Sequence, residues 1–250
     1  MSTTAIDPGL NADLAADLAA TALILARRFA AGATLWCVAP AWEPHAQHIA
    51  VEFVHPVIVG KRALPAVALT GHDPVGAARM SVRPGDIVIA VADAGDPEVR
   101  SIMRRAPAWG AVTVWIGHGP RPPAGAADRV LWFDDPDPRL PAAGGFVLTY
   151  HLLWELTHVC FEHPGLLTAP HGPAEVCVTC ADEGRLAEVI AVCGDTATVR
   201  TATGIETATT TLVGPVTVDD LVILHAGAAI GTVGPPGRAP EPLAGNGIRR

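Results

Sequence analysis

The chain has 250 residues, 50% of them hydrophobic, and carries 17 Lys and Arg against 25 Asp and Glu for a formal charge of −8. Such a chain can bury a sizeable core in one large or two modest domains, which excludes a disordered protein. The acidic balance argues against a nucleic-acid groove or an anionic membrane surface, both of which need clustered Lys and Arg; proteins and small molecules are the partners to expect.

The apolar run from Leu14 to Ala33 is interrupted by Asp17, Arg27 and Arg28. It therefore predicts an amphipathic helix over 12–30, too polar to span a bilayer. No charged region followed by a cleavage site opens the chain, and five cysteines, an odd number, fit a reducing compartment better than a disulfide framework. A cytoplasmic location is expected. The pattern continues with a strand over 34–38, a helix over 44–54 and a strand over 66–69. Asp86-Ile-Val-Ile-Ala-Val91 is an unbroken apolar run of the buried parallel type. Pro97 opens a helix to Ala106, strands follow over 112–116 and 129–133, and a last helix fills 146–162. Strands alternating with helices predict an α/β fold, a doubly wound parallel sheet covered on both faces.

The segment 163–173 holds three prolines and two glycines, and beyond it the pattern changes to period-two alternation with Thr-rich hairpins, which marks a domain boundary. The expected organisation is an α/β domain over 1–165, a linker over 166–175, a small β-barrel over 176–233 and a disordered tail over 234–250.

In the first part, Ala46-Gln-His-Ile-Ala-Val-Glu52, Pro84-Gly85-Asp86, Gly95-Asp96-Pro97 and Ala127-Asp128-Arg129-Val130 resemble the sugar isomerase (SIS) family, and within it the phosphoheptose isomerases. In that family two hydroxyl-rich loops hold a sugar phosphate at helix starts. Here the first loop falls on Val38-Ala39-Pro40-Ala41-Trp42, with no hydroxyl and with a proline that removes a backbone donor. The second reads Ala92-Asp93-Ala94-Gly95-Asp96, where hydroxyls give way to two carboxylates, each of which at about 4 Å would repel a phosphate by around 4 kcal/mol at an effective dielectric of about 20. Loss of ordinary phosphosugar isomerisation is expected, with a cleft framed by Trp42, Asp93 and Asp96 that would take a cationic or uncharged ligand. His48 and Glu52 share one helix face, and the resemblance makes them a metal ligand and, in an isomerase, a catalytic base, with zinc as the metal. His151, Glu155 and His158 do not fall on the pair spaced eight apart that the family uses. Five of the six tryptophans read as core; Trp42, in place of a phosphate-loop serine, would plug the cleft. The resemblance also implies a homodimer.

In the last third, Cys177-Val-Thr-Cys180-Ala-Asp182, Gly184-Arg185, Gly194-Asp195, Leu212-Val213-Gly214 and Leu224-His225-Ala226-Gly227 resemble the HypC/HupF family of hydrogenase-maturation chaperones, short OB-like barrels. Thiolate and imidazole together suit a soft metal held loosely enough to be released, whereas a closed zinc site would need four ligands. The resemblance implies a metallochaperone with Cys180 as principal ligand, Cys177 as second ligand or redox partner, and His225 completing the grip. The cargo would be an iron fragment of the Fe(CN)2CO type for the [NiFe] site. Its partners would be a HypD-like scaffold protein and the hydrogenase large-subunit precursor. The family's working cysteine follows the initiator methionine, so any ligand role for a terminal amine is lost here. The alternative expectation is a sugar-phosphate isomerase of the sedoheptulose 7-phosphate type, or a sugar-ligand sensor, in the first domain.

Overall fold

The computed structural model of the protein describes residues 12–56, 58–133, 144–168 and 184–234. Its first part runs α1 (Ala12–Ala30), β1 (Leu35–Val38), α2 (Glu43–Val54), β2 (Ala66–Leu69), α3 (Pro74–Ser81), β3 (Ile87–Val91), α4 (Pro97–Arg105), β4 (Val112–His118), β5 (Arg129–Phe133) and α5 (Gly145–Glu162). The five strands are parallel, in the order β2-β1-β3-β4-β5. Every residue of β3 is buried, as an apolar run flanked by helices on both faces requires.

Alternate strand residues divide the core. Leu35, Ile87, Ile89, Val114 and Ile116 face α1, α2 and α5. Val88, Ala90, Trp115 and Trp132 face the opposite way, onto α3 and α4. Leu14, Leu18, Leu25 and Phe29, spaced along one stripe of α1, are buried against the first of these layers. Two acids, the buried Asp86 and the exposed Asp128, stitch the strand starts together. The Asp86 carboxylate accepts from Thr34 N–H, the Trp36 indole N–H and Arg83 N–H at 2.8–2.9 Å. Asp128 accepts from the N–H and the hydroxyl of Thr113, both at 2.8 Å.

Some boundaries differ from expectation for local reasons. The expected strand at 34–38 begins at Leu35, because Thr34 turns its N–H to Asp86. The helix expected to reach Ala106 ends at Arg105 and tightens into a 3₁₀ turn, Ala106–Trp109; Pro107 has no N–H with which to extend the α ladder. One helix, α3, eight residues long, is additional to the expected elements. Asp73 starts it by accepting from Gly76 N–H at 2.8 Å.

The second part is a closed five-stranded barrel of β6 (Arg185–Cys193), β7 (Thr196–Thr201), β8 (Gly204–Thr209), β9 (Leu221–His225) and β10 (Ala228–Val233), in the order β10-β8-β7-β6-β9. The β9–β10 hairpin turns on two residues, Ala226 at φ +48° and Gly227 at φ +77°, the pair of left-handed residues that a type I′ turn demands. Ala187, Val189, Val199, Val222 and Leu224 fill the barrel. Leu186, Leu221 and Val233 pack instead on the cluster around Trp109 in the first part.

A buried polar clamp joins the two parts. Glu188 of β6 is fully buried. It accepts from Arg105 at 2.7 Å, from Arg79 at 3.0 and 3.2 Å, and from the Trp109 indole N–H at 2.7 Å. Arg200 of β7 donates to the carbonyls of Arg79 and Val82 at 2.6 and 2.7 Å and lies over the Trp109 ring. Among the described residues no helix is long and apolar enough to cross a membrane. Cys177, Cys180, most of the linker expected over 166–175 and the tail beyond Gly234 lie outside the described residues.

Candidate metal centre

Three donors from two helices meet on the α1/α2/α5 side of the sheet. His48 and Glu52, one turn apart on α2, are joined by His151 of α5. The Nε2 atoms of His48 and His151 each lie 3.4 Å from Glu52 Oε1, and 3.1 Å from one another. A tetrahedral zinc with arms of roughly 2.05 Å separates its ligand atoms by about 3.3 Å, so the three spacings already approximate the edges of such a site. Two imidazoles and one carboxylate are also a donor set that zinc accepts. A fourth position is left on the solvent side, where the side chains of His48 and His151 are 40% and 43% exposed.

The rings are held from behind. His48 Nδ1 lies 2.9 Å from the Tyr150 hydroxyl, whose oxygen is in turn 3.4 Å from His45 Nδ1. Tyr150 is buried, and its rings stack edge-on with His45, His48 and His151. Desolvation, and secondarily the nearby Glu52 carboxylate, pushes the Tyr150 hydroxyl up to about 12. The phenol therefore stays protonated at neutral pH and serves as a fixed hydrogen-bonding support for His48.

The structure thus adds His151, and Tyr150 and His45 behind it, to the pair expected from spacing. His158 is elsewhere: it is buried, with its two ring nitrogens 2.9 and 3.0 Å from the carbonyls of Trp154 and Arg62. Glu155 is turned to Lys61 at 3.9 Å.

The cleft residues are engaged within the protein. Trp42 stacks on His118 at 5.8 Å and tilts against Phe146 at 5.7 Å. This places its indole between the carboxyl end of β4 and the start of α5. The two carboxylates of the second loop have separate partners. Asp93 lies 3.2 Å from His118 Nε2, whereas Asp96 caps α4 by accepting from Glu98 and Val99 N–H at 3.0 and 2.9 Å. A carboxylate of the chain thus takes the anion position at that helix start. Of the metal ligands expected in the barrel, His225 is exposed at the end of β9, opposite Ala228; Cys177 and Cys180 lie outside the described residues.

No family model matches the sequence, and no curated protein matches it. Among solved structures the chain is similar to a phosphoheptose isomerase from Francisella tularensis, at 17% identity over 58% of this chain and 86% of that one, with a TM-score of 0.49. It is similar also to a phosphoheptose isomerase from Neisseria gonorrhoeae, at 14% identity over 57% and 86% of the two chains, with a TM-score of 0.48. The architecture is a mixed α/β one, a parallel five-stranded sheet followed by a closed five-stranded barrel.

Proposed function

We propose that the α/β domain is a zinc-dependent site for a small sugar-like hydroxy-carbonyl compound, with aldose–ketose interconversion as its reaction. The observation that carries this reading is the convergence of His48, Glu52 and His151 at tetrahedral spacing, with one position left open. When bound there, zinc supplies Lewis acidity toward a carbonyl or hydroxyl oxygen.

The remaining chemistry belongs to the chain. Glu52 Oε1 faces both imidazoles, which leaves Oε2 to take a proton from the hydroxyl-bearing carbon and return it to the neighbouring carbon. The hydroxyl proton moves to the former carbonyl oxygen in the same exchange, so no atom or electron is gained or lost. His48 keeps Nε2 turned to the ligand side because its Nδ1 is held by Tyr150. The position that would hold a phosphate at the α4 start is filled by Asp96, which favours unphosphorylated substrates. The test is turnover of aldoses and aldose phosphates by the zinc-loaded protein. Turnover abolished by Glu52→Gln supports the reading; equal rates for the variant, or no turnover of any such substrate, rejects isomerisation.

A second reading attaches to the barrel, as a carrier of an iron fragment in [NiFe]-hydrogenase maturation through Cys180, Cys177 and His225. The closed five-stranded barrel and the exposed position of His225 beside the type I′ turn favour it. A folded Cys180→Ala protein should then fail to support hydrogenase maturation in cells, and full activity would remove this role.

A further inference from the structure

On the sheet face opposite α2 and α5, a cavity of about 460 Å³ opens between α4 and the β4–β5 connection. That volume lies in the range of small-molecule sites. Pro97, Arg100, Ser101 and Arg104 line one side. Their spacing of three, four and seven residues puts them on one stripe of α4. Trp115, Pro122 and Pro123 make the opposing apolar walls.

The arginines are what make this cavity a site. In a chain of net charge −8, two guanidiniums stand one turn apart, an arrangement that destabilises a helix when nothing lies between them. Other arginines on this side of the sheet are committed: Arg79 and Arg105 to Glu188, and Arg200 to backbone carbonyls. Among the described residues, neither the Arg100 nor the Arg104 guanidinium has a hydrogen-bond or carboxylate partner. Ser101 is set up to donate, because its oxygen already accepts from Arg105 Nε at 3.2 Å and so keeps its own proton for a ligand. The proline walls offer no N–H groups. The two planar forks and the hydroxyl make a set that suits the tetrahedral oxygens of a phosphate.

We propose that this cavity binds an organic phosphate monoester, its phosphate between Arg100, Arg104 and Ser101 and its apolar body against Trp115 and the prolines. The site is separate from the metal centre and does not depend on the reading given for it. Calorimetric titration of the full chain with inorganic phosphate, phenyl phosphate and benzoate at fixed ionic strength tests it. Phenyl phosphate should bind saturably at one site, at least tenfold tighter than inorganic phosphate and tighter than benzoate. R100Q/R104Q should weaken it by thirtyfold or more, and E52Q should leave it unchanged. Arg100 is exposed, so R100Q alone, expected to cost at least fivefold, serves if the double variant fails to fold. Absence of saturable phenyl phosphate binding, undiminished binding by R100Q, or a preference for benzoate would each overturn the proposal.

Discussion

Replacing Glu188 tests how the barrel is held to the α/β domain. The carboxylate is fully buried and receives hydrogen bonds from Arg79, Arg105 and Trp109. Glu188→Ala leaves two guanidiniums and an indole N–H facing a cavity. Breaking a buried ion pair from one side costs about 3–5 kcal/mol. Arg79 keeps Asp219 at 2.9 Å and Arg105 keeps the Asp219 carbonyl at 2.7 Å, so the lower part of that range, about 3 kcal/mol, is expected. Glu188→Gln keeps the volume and one acceptor oxygen but turns an NH₂ toward existing donors, and should cost about 2 kcal/mol, in the range of a lost charge-assisted hydrogen bond. Urea unfolding followed by circular dichroism reads both values from the midpoint and the slope. A loss under 1 kcal/mol for the alanine variant would refute the claim that this carboxylate clamps the two parts.

A methyl group at Gly117 would collide with the Trp132 ring and the Ala92 carbonyl; Gly117→Ala should therefore destabilise the fold by about 1–3 kcal/mol through overpacking, measured in the same titration. The chain has a single tyrosine, so phenolate absorbance reports Tyr150 alone. It should develop near pH 12 in the metal-free protein, above the ordinary value near 10. Because the folded value is the raised one, the stability tied to this group is fully present below about pH 10 and is lost as pH climbs through 12. Burial pushes the Cys37 and Cys160 thiols up, while Cys193 is exposed. Alkylation at neutral pH, read by peptide mass spectrometry, should label Cys193 within minutes and reach Cys37 only on unfolding.

The sequence carries the local part of this structure well. The bounds of α1, β2 and β5 follow directly from apolar periodicity, and the hairpins of the barrel follow from Gly194-Asp195 and Ala226-Gly227 at period-two breaks. His48 and Glu52 are legible because they are neighbours on one helix. His151 is not, since nothing near it in the chain says which face of α5 will meet α2; the packing of α5 beside α1 and α2 settles that. Asp96 stands just before Pro97, where a helix cap belongs, so its capping role is available from local rules. Asp93 was not legible, because its partner His118 ends another strand. Glu188 sits in an alternating strand whose polar positions ordinarily face water, and only the docking of the barrel on the Trp109 turn buries it.

The central claim is that His48, Glu52 and His151 form one metal site, and zinc titration of the chelator-stripped protein tests it most directly. Cys177→Ser/Cys180→Ser/Cys193→Ser is the appropriate background, so that thiols in the barrel contribute nothing. One zinc per chain should bind with micromolar or tighter affinity, with a loss of at least tenfold in Glu52→Gln and in His151→Ala separately. No saturable binding in that background, or affinity undiminished in either variant, would contradict the account.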